Sequence, residues 1–367
     1  MQKTKEEMLK AGIDVFFVSP SSNLFYLAGY AAKSDERLFL LALSSGAPFV
    51  LANLLYQNEV KSLPIKDAVF WKDGEDPFAF LKTEIERRKI LVKTAAVEPS
   101  MSALFALPLS QTFPTVQFSL GSPLTGPLRE IKEPGELDLI RRAGRASDNA
   151  LAAVIDKGSY WLGKTELEFR DALFAELKAR GLESPGAIVA VGANAAVPHH
   201  SCGNTVIERG KCLLIDFWGR MEGYYTDCSR TFFVGESDET QGGTPGVPSF
   251  EKAHAIVMEA QLAAEAVARP GNTLGDVDKA ARSVIEKYGY GEFFTHRTGH
   301  GAGIDIHEGN SASKGAQTPI ASGMVFSIEP GLYFPGRFGV RIENLVITGE
   351  DAAQSIHAYP RELKIIG

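Results

Sequence analysis

The sequence predicts two domains, a small α/β domain followed by a larger α+β domain that repeats its own pattern. Three observations carry this. The chain has 367 residues, enough for two domains. Its first third alternates helical segments with apolar runs of strand length and closes on the Pro- and Gly-rich stretch GSPLTGPL, which reads as a linker. The remainder runs twice through helices and then a pair of strands, a repeat of pattern rather than of sequence identity. The domains are placed at residues 1–127 and 128–367.

In the first domain KTKEEMLKAG reads as a helix ending at Gly12, and IDVFFVSP as a strand stopped by Pro20. RLFLLAL and PFVLANLL have strand length, PFAFLKTEIERR is helical, and KILVKTAAVE starts with a strand. After the linker, REIKEPGELDLIRRAGRASDNALAAVI begins a long helix. Pro134 falls near its first turn, where a missing N–H is harmless, and Ile140, Ala143, Leu151 and Val154 mark a buried face.

TELEFRDALFAELKARG opens the first half of the repeat, with Thr165 and Glu168 at capping-box spacing and Gly181 at its end. The strands KCLLIDFW and YYTDCSRTFFV follow. The loop QGGTPGVPS, Gln241 to Ser249, separates the halves. In the second half SFEKAHAIVMEAQLAAEAVARPG is a helix capped by Ser249, and TLGDVDKAARSVIEKYG is another with Thr273 and Asp276 as cap pair. The histidine-rich stretch HRTGHGAGIDIHE then leads into the strands MVFSIEPGLYF and GVRIENLVI.

The totals exclude several functions. A net charge of -7 argues against a nucleic-acid backbone or an anionic membrane as main partner. Three scattered cysteines form neither a disulfide framework nor a zinc knuckle. The opening MQKTKEEMLK lacks the apolar core of a signal peptide, and no apolar run has the length to span a bilayer. A reduced, cytoplasmic protein is expected.

Each hairpin carries two acids: Asp216 and Asp227 in the first, Glu329 and Glu343 in the second. A turn near Gly219–Gly223 sets the first pair nearly opposite one another, and Pro335–Arg337 sits midway between the second pair. Like charges opposite each other in apolar strands need protons or cations. One such Asp would be a solvent-facing strand end. Four in matched places, beside three histidines within twelve residues, point to oxygen-rich ligation with one imidazole, suited to a pair of hard or borderline divalent ions. The interleaved Gly299, Gly301 and Gly303 let backbone or substrate approach closely. Arg341 lies two residues before Glu343, hence on the same strand face, where it can pair with a metal-binding or a substrate carboxylate.

In order and context, LIDFW, YTDCSRT, TGHGAGIDIHE, SIEPG and VRIEN resemble the five ligand motifs of the pita-bread metallopeptidases, a family that includes prolidase, aminopeptidase P, methionine aminopeptidase and creatinase. The resemblance runs from about Arg129 onward, and the α/β domain is similar to the one that prolidase, aminopeptidase P and creatinase share and methionine aminopeptidases lack. It implies a creatinase/prolidase-type N-terminal α/β domain and an α+β pita-bread catalytic domain with an internal pseudo-two-fold repeat.

By the same resemblance Asp216, Asp227, His300, Glu329 and Glu343 bind two divalent metal ions, manganese first, with cobalt or zinc as alternatives. Asp216 holds one metal through both oxygens, Asp227 and Glu343 bridge, and His300 and Glu329 complete the second. A hydroxide bridging such a pair attacks the scissile carbonyl, with Glu329 as acid/base. His199, seventeen residues before Asp216, and His307 stabilise the intermediate. His296 lines the substrate side and Arg341 joins it. His200 is taken as incidental, His254 and His357 as surface residues, and Cys212 and Cys228 as core packing. Trp218 departs from the family pattern, which commonly has glycine after the aromatic residue.

The implied activity is hydrolysis of the bond before proline in Xaa-Pro dipeptides by a homodimer. The alternatives are an Xaa-Pro aminopeptidase acting on longer peptides, a creatinase-like hydrolase working without metal, and a peptide-binding pseudo-enzyme. Retention of all five ligands speaks against the last two. A dinucleotide-binding protein would need a glycine loop between strand and helix, and GHGAG has neither the spacing nor the helix.

Overall fold

The computed structural model describes residues 1–31, 35–235 and 246–367. The chain divides into two compact units, Met1–Arg129 and Glu130–Gly367.

The first unit runs α1 (Gln2–Ala11), β1 (Val15–Val18), α2 (Ser22–Ala28), β2 (Leu40–Ser44), β3 (Phe49–Asn53), α3 (Gln57–Ser62), β4 (Ala68–Trp71), α4 (Pro77–Arg87), β5 (Thr94–Val97), α5 (Ala103–Thr112), β6 (Gln117–Leu120) and α6 (Ser122–Glu130). Its six strands are ordered β4-β3-β2-β1-β5-β6. Central β1 pairs antiparallel with β2 and parallel with β5. Its run VFFV is apolar throughout because both faces are covered: Phe16 and Val18 join one hydrophobic cluster, Val15 and Phe17 the other. Two expectations change here. The strand in KILVKTAAVE lies at its end, Thr94–Val97, and GSPLTGPL is a helix rather than a linker. Pro123 sits in the first turn of α6, where its missing N–H costs nothing, and Leu124 is buried in the same cluster as Phe16.

The second unit contains α7 (Pro134–Ile155), α8 (Glu166–Ala179), β7 (Glu183–Val191), β8 (Cys212–Met221), β9 (Tyr224–Val234), α9 (Phe250–Val267), α10 (Leu274–Lys287), β10 (Gly299–His300), β11 (Ser311–Ala312), β12 (Val325–Ile328), β13 (Gly331–Phe334), β14 (Phe338–Arg341), β15 (Glu343–Thr348), β16 (Ala353–Ser355) and β17 (Ile365–Ile366). Its main sheet runs β12-β15-β9-β8-β7, with β16 on β15 and β17 on β9. The sequence reading passed over β7, whose Pro185 and Gly186 mask a strand at the edge of this sheet.

The two halves match in detail. Reciprocal capping boxes open α8 at Thr165–Glu168 and α10 at Thr273–Asp276. Each N-cap residue also forms an isolated bridge, Thr165 to Val206 and Thr273 to Pro319. The helices α7 and α8 pack with β7–β9 in one core, α9 and α10 with the second hairpin in another. Of the loop between halves, residues 241–245 lie outside the described residues, and Ser249 caps α9 through Lys252.

His254 and His357, expected at the surface, are both buried. Phe250, His254, Val257 and Gln261 follow helical spacing and form the inward face of α9. Burial pushes the His254 imidazole down to about 4, so it is neutral in the folded protein. An unfolded histidine titrates near 6.5. Below that pH the unfolded chain binds more protons, so the histidine's contribution to stability declines as pH falls toward 4, by up to about 1.4 kcal/mol per unit. His254→Gln is expected to flatten the stability–pH slope between pH 6.5 and 4. Urea titrations of both proteins across that window measure it, and equal slopes would contradict the assignment.

Candidate metal centre

The four acids are set by strand register. Within the β8–β9 hairpin Asp216 stands opposite Ser229, and Trp218 opposite Asp227. Asp216 and Asp227 are therefore diagonal neighbours, not the opposed pair the sequence suggested. The turn falls on Glu222 and Gly223, both at positive φ, one place beyond the expected centre. They still share a face because strand side chains alternate. On the next strand Glu343 of β15 stands opposite Ser229. Asp216, Ser229 and Glu343 thus form a row across three adjacent strands. The second hairpin keeps one register from Phe334↔Phe338 at its tip to Val325↔Ile347 at its base, which places Glu329 opposite Glu343 and extends the row.

This row is buried. Asp227 and Glu343 are almost fully covered, and Asp216 and Glu329 are the more open pair. Burial, then mutual repulsion, raises the carboxyls of Asp227 and Glu343 well above the ordinary range. Burial lifts Glu329 to about 7, against the pull of Arg341.

Arg341 is buried beside them. Burial works against its charge, but Tyr333, Asp216 and Glu329 outweigh that and keep it a cation. It donates from Nη2 to Asp216 at 2.6 Å, from Nε to Ser229 at 3.1 Å, and from Nη1 to the Tyr333 hydroxyl at 2.8 Å and the Pro198 carbonyl at 3.4 Å.

The histidines take different places. His300 sits on β10, a two-residue strand. Its Nδ1 lies 3.2 Å from the Gly301 carbonyl and so carries the proton, which leaves the Nε2 lone pair 3.7 Å from Asp227 Oδ2 and 3.4 Å from Glu329 Oε1. Burial pushes this imidazole down to about 3, so it is neutral. His307 stands edge-on to His300, ring centroids 4.1 Å apart, and burial followed by the charge of Arg297 lowers its basicity. His296 Nδ1 donates to the Arg297 carbonyl, and its Nε2 meets the Tyr333 hydroxyl at 2.7 Å. His199 is exposed, on the loop between β7 and β8, and lowers the basicity of both His296 and His307. His200 is half-buried and turned away, its Nε2 2.9 Å from Glu166.

The glycines of the histidine stretch are explained by close approach. A Cβ on Gly299 would lie 1.8 Å from the Ser327 carbonyl oxygen, and one on Gly301 2.1 Å from that of Glu308. Trp218 shares the face of Asp216, and its indole lies over Gly186 of β7, where a Cβ would meet it at 2.2 Å. The large residue on β8 is matched by the missing side chain on β7.

Several site residues escaped the sequence reading. Ser229 donates to Glu343 Oε2 at 2.7 Å while accepting from Arg341. Ser327 accepts from the His300 N–H at 3.0 Å and donates to Glu329 Oε1 at 3.1 Å. Tyr333 links His296 to Arg341. Buried Arg230, on the opposite face of β9, ties the carbonyls of Ser229 and Glu343 and the side chain of Asn344 together. Strand alternation flags Ser229, two residues after Asp227, and Ser327, two before Glu329; Tyr333 and Arg230 depend on tertiary pairing.

The donor set fits divalent cations. Among the described residues, buried Asp227 Oδ1 and Glu343 Oε1 have no hydrogen-bond partner. Ligand atoms of Asp227, His300 and Glu343 lie within 4.8 Å of one another. A neutral imidazole lone pair facing two carboxylates is repulsive unless a cation stands between them, and a histidine whose other nitrogen is fixed by a backbone carbonyl has the usual form of a metal ligand.

Acids and imidazole gathered on a twofold-repeated helix–hairpin scaffold define a metallopeptidase of the pita-bread fold. The family follows from sequence: the model of metallopeptidase family M24 matches residues 138–350, and that of the creatinase/prolidase N-terminal domain matches residues 1–131. The chain belongs to metallopeptidase family M24 and is a metal-dependent peptidase. It is 34% identical over 363 residues to the probable dipeptidase PepE of Mycobacterium tuberculosis, covering 97% of this chain and 93% of that protein. It is 32% identical to an Xaa-Pro dipeptidase of Lactobacillus delbrueckii subsp. lactis, covering 100% and 98%. The crystal structure of a prolidase from Thermococcus sibiricus superposes with a TM-score of 0.91 at 33% identity, covering 99% of this chain and 97% of that one.

Ser229→Ala strips a buried partner from both Glu343 and Arg341. It is expected to lower stability by about 1–3 kcal/mol. Urea denaturation in chelator measures the loss, and an unchanged midpoint would show the serine to be dispensable.

Proposed function

We propose that this chain is a dinuclear Xaa-Pro dipeptidase, cleaving the peptide bond before proline. The observation that carries the reading is the buried row Asp216–Ser229–Glu343–Glu329, with Asp227 diagonal to it, and the two oxygens Asp227 Oδ1 and Glu343 Oε1 that have no hydrogen-bond partner among the described residues. In this reading Asp216, Asp227, His300, Glu329 and Glu343 would hold two divalent ions. When bound, such ions, manganese first, would lower the pKa of water to about 7 and polarise the scissile carbonyl.

The chain's own groups do the rest. Glu329 takes the proton from the attacking water and passes it to the leaving proline nitrogen. His199 and His307 donate hydrogen bonds to the oxyanion that develops on the carbonyl. His296, with Tyr333 and Arg341, forms the substrate side. Proline's amide has no N–H, so a site that acts on the carbonyl does not miss it. The names of the relatives, dipeptidase, Xaa-Pro dipeptidase and prolidase, support a dipeptide substrate. A homodimer is part of the reading, and light scattering at assay concentration tests it.

A second reading, an Xaa-Pro aminopeptidase acting on longer peptides, draws on one observation. Arg341 is already engaged by Asp216, Ser229, Tyr333 and Pro198, which favours a role in holding the acids over one in gripping a substrate carboxylate. Comparing kcat/KM on Ala-Pro and Ala-Pro-Ala separates the two. A preference for the dipeptide is expected; a clear preference for the tripeptide establishes the second reading, and equal cleavage of Ala-Ala removes proline specificity.

Activity is expected to vanish on exhaustive chelation and return with manganese, and Glu343→Ala is expected to lower bound metal together with rate. Elemental analysis beside the assay decides: full activity in metal-free protein overturns the reading. His199→Ala and His307→Ala are expected to slow kcat by about 10²–10³ with metal content retained. Loss of metal in proportion to rate would make them ligands instead.

A further inference from the structure

Glu166 opens α8, and its side chain is fully buried at 0% exposure. An isolated buried carboxylate is costly, so its partners show what it does. Four donors converge on it. Oε1 accepts from the Val191 N–H and from Asn194 Nδ2, each at 2.9 Å. Oε2 accepts from His200 Nε2 and from the Gly203 N–H, also each at 2.9 Å. The helix N-terminus on which Glu166 stands favours its negative charge as well.

All four donors belong to residues 191–203, the last residue of β7 and the first part of the connection to β8. This connection has little regular structure of its own, one short 3-10 turn at Gly192–Ala196. Its far side rests on the metal centre's strands. The Ala195 carbonyl oxygen lies where a Cβ on Gly339 of β14 would come within 1.9 Å, and the Pro198 carbonyl accepts from Arg341. His199 follows directly and His200 is the next residue. The loop is therefore held between a buried carboxylate on one side and the arginine of the acid row on the other, with an exposed histidine between the two anchors.

We propose that Glu166 and His200 are positioning residues: the Glu166 carboxylate pegs the 191–203 loop through His200, Asn194 and two backbone N–H groups, and thereby sets His199 over the metal centre. The inference rests on the reading of His199 as the group that stabilises the oxyanion. It gives His200 the task of peg, with its neighbour serving the substrate. Because neither residue touches a metal-binding acid, their loss is expected to alter turnover without altering metal content.

The test compares His200→Leu, which removes the donor, with His200→Gln, whose amide can still donate to Glu166. His200→Leu is expected to lower kcat about tenfold or more, with KM and bound metal within about twofold, and His200→Gln to recover most of the loss. Combined with His199→Ala, His200→Leu is expected to add little, because both act through one imidazole. Asn194→Ala, which removes a second donor to Glu166 and leaves His200 intact, is expected to show the same kcat-only loss and serves if His200→Leu folds poorly by circular dichroism. Wild-type kcat in His200→Leu and Asn194→Ala overturns the proposal while His199→Ala remains slow. So does a loss that multiplies with that of His199→Ala, or that tracks metal content. Wild-type turnover in His199→Ala overturns both the proposal and the reading of His199 beneath it.

Discussion

The second unit is organised around one electrostatic constraint: four carboxylates share one face of a buried sheet. Such a row is unfavourable at low dielectric, which raises the carboxyls of Asp227, Glu329 and Glu343 and leaves two oxygens without partners among the described residues. The fold holds the acids together without neutralising them. One buried guanidinium, Arg341, offsets part of the charge at the Asp216 end. The remainder is the demand that divalent cations meet.

Much of the neighbouring structure follows from holding that face rigid. β9 and β15 pair only at Glu343↔Ser229 and Asn344↔Cys228, so few ladder bonds fix the spacing between the strands of Asp227 and Glu343. Arg230 strengthens that junction from behind, bonding the Ser229 and Glu343 carbonyls and the Asn344 side chain, with further bonds to the carbonyls of Tyr359 and Pro360. The segment after β16 is itself tied down by Asp148, which accepts from the N–H groups of Ala358 and Tyr359 and bonds His357 at 2.9 Å. His357 is buried for that reason. It belongs to the scaffold behind β9 and not to the site before it.

The same division of labour appears among the other histidines. His300 and His307 reach the centre from the glycine-rich segment, which can run close to Ser327 and Glu308 because Gly299 and Gly301 carry no Cβ. The buried pair Lys132–Glu308, at 2.9 Å, holds the end of that segment. In the first half the loop bearing His199 is held by Glu166. Each half of the repeat thus delivers a hairpin with acids and a loop with histidine, and each loop is fixed by a buried charged residue outside the acid row.

The sequence by itself determined most of the elements and which acids and histidines belong to the candidate site. Caps at Thr165, Ser249 and Thr273 are local chemistry, and a two-residue alternation puts Asp216 and Trp218, or Arg341 and Glu343, on a shared face whatever surrounds them. The symmetric placement of Glu329 and Glu343 about Gly336 was legible because the turn there is centred where its proline and glycine stand. Tertiary structure decided everything that depends on which strands become neighbours. It offset Asp216 from Asp227 by two positions along the ladder, since a turn on Glu222–Gly223 is a property of the hairpin's twist. It inserted Ser229 between Asp216 and Glu343, joined Tyr333 to His296 and Arg341, and gave His200 to Glu166 across 34 positions of chain. Hydrogen bonds between residues far apart in sequence leave no periodic signal, so only the folded geometry distinguishes exposed His199 from its neighbour His200, which is bonded to a buried carboxylate.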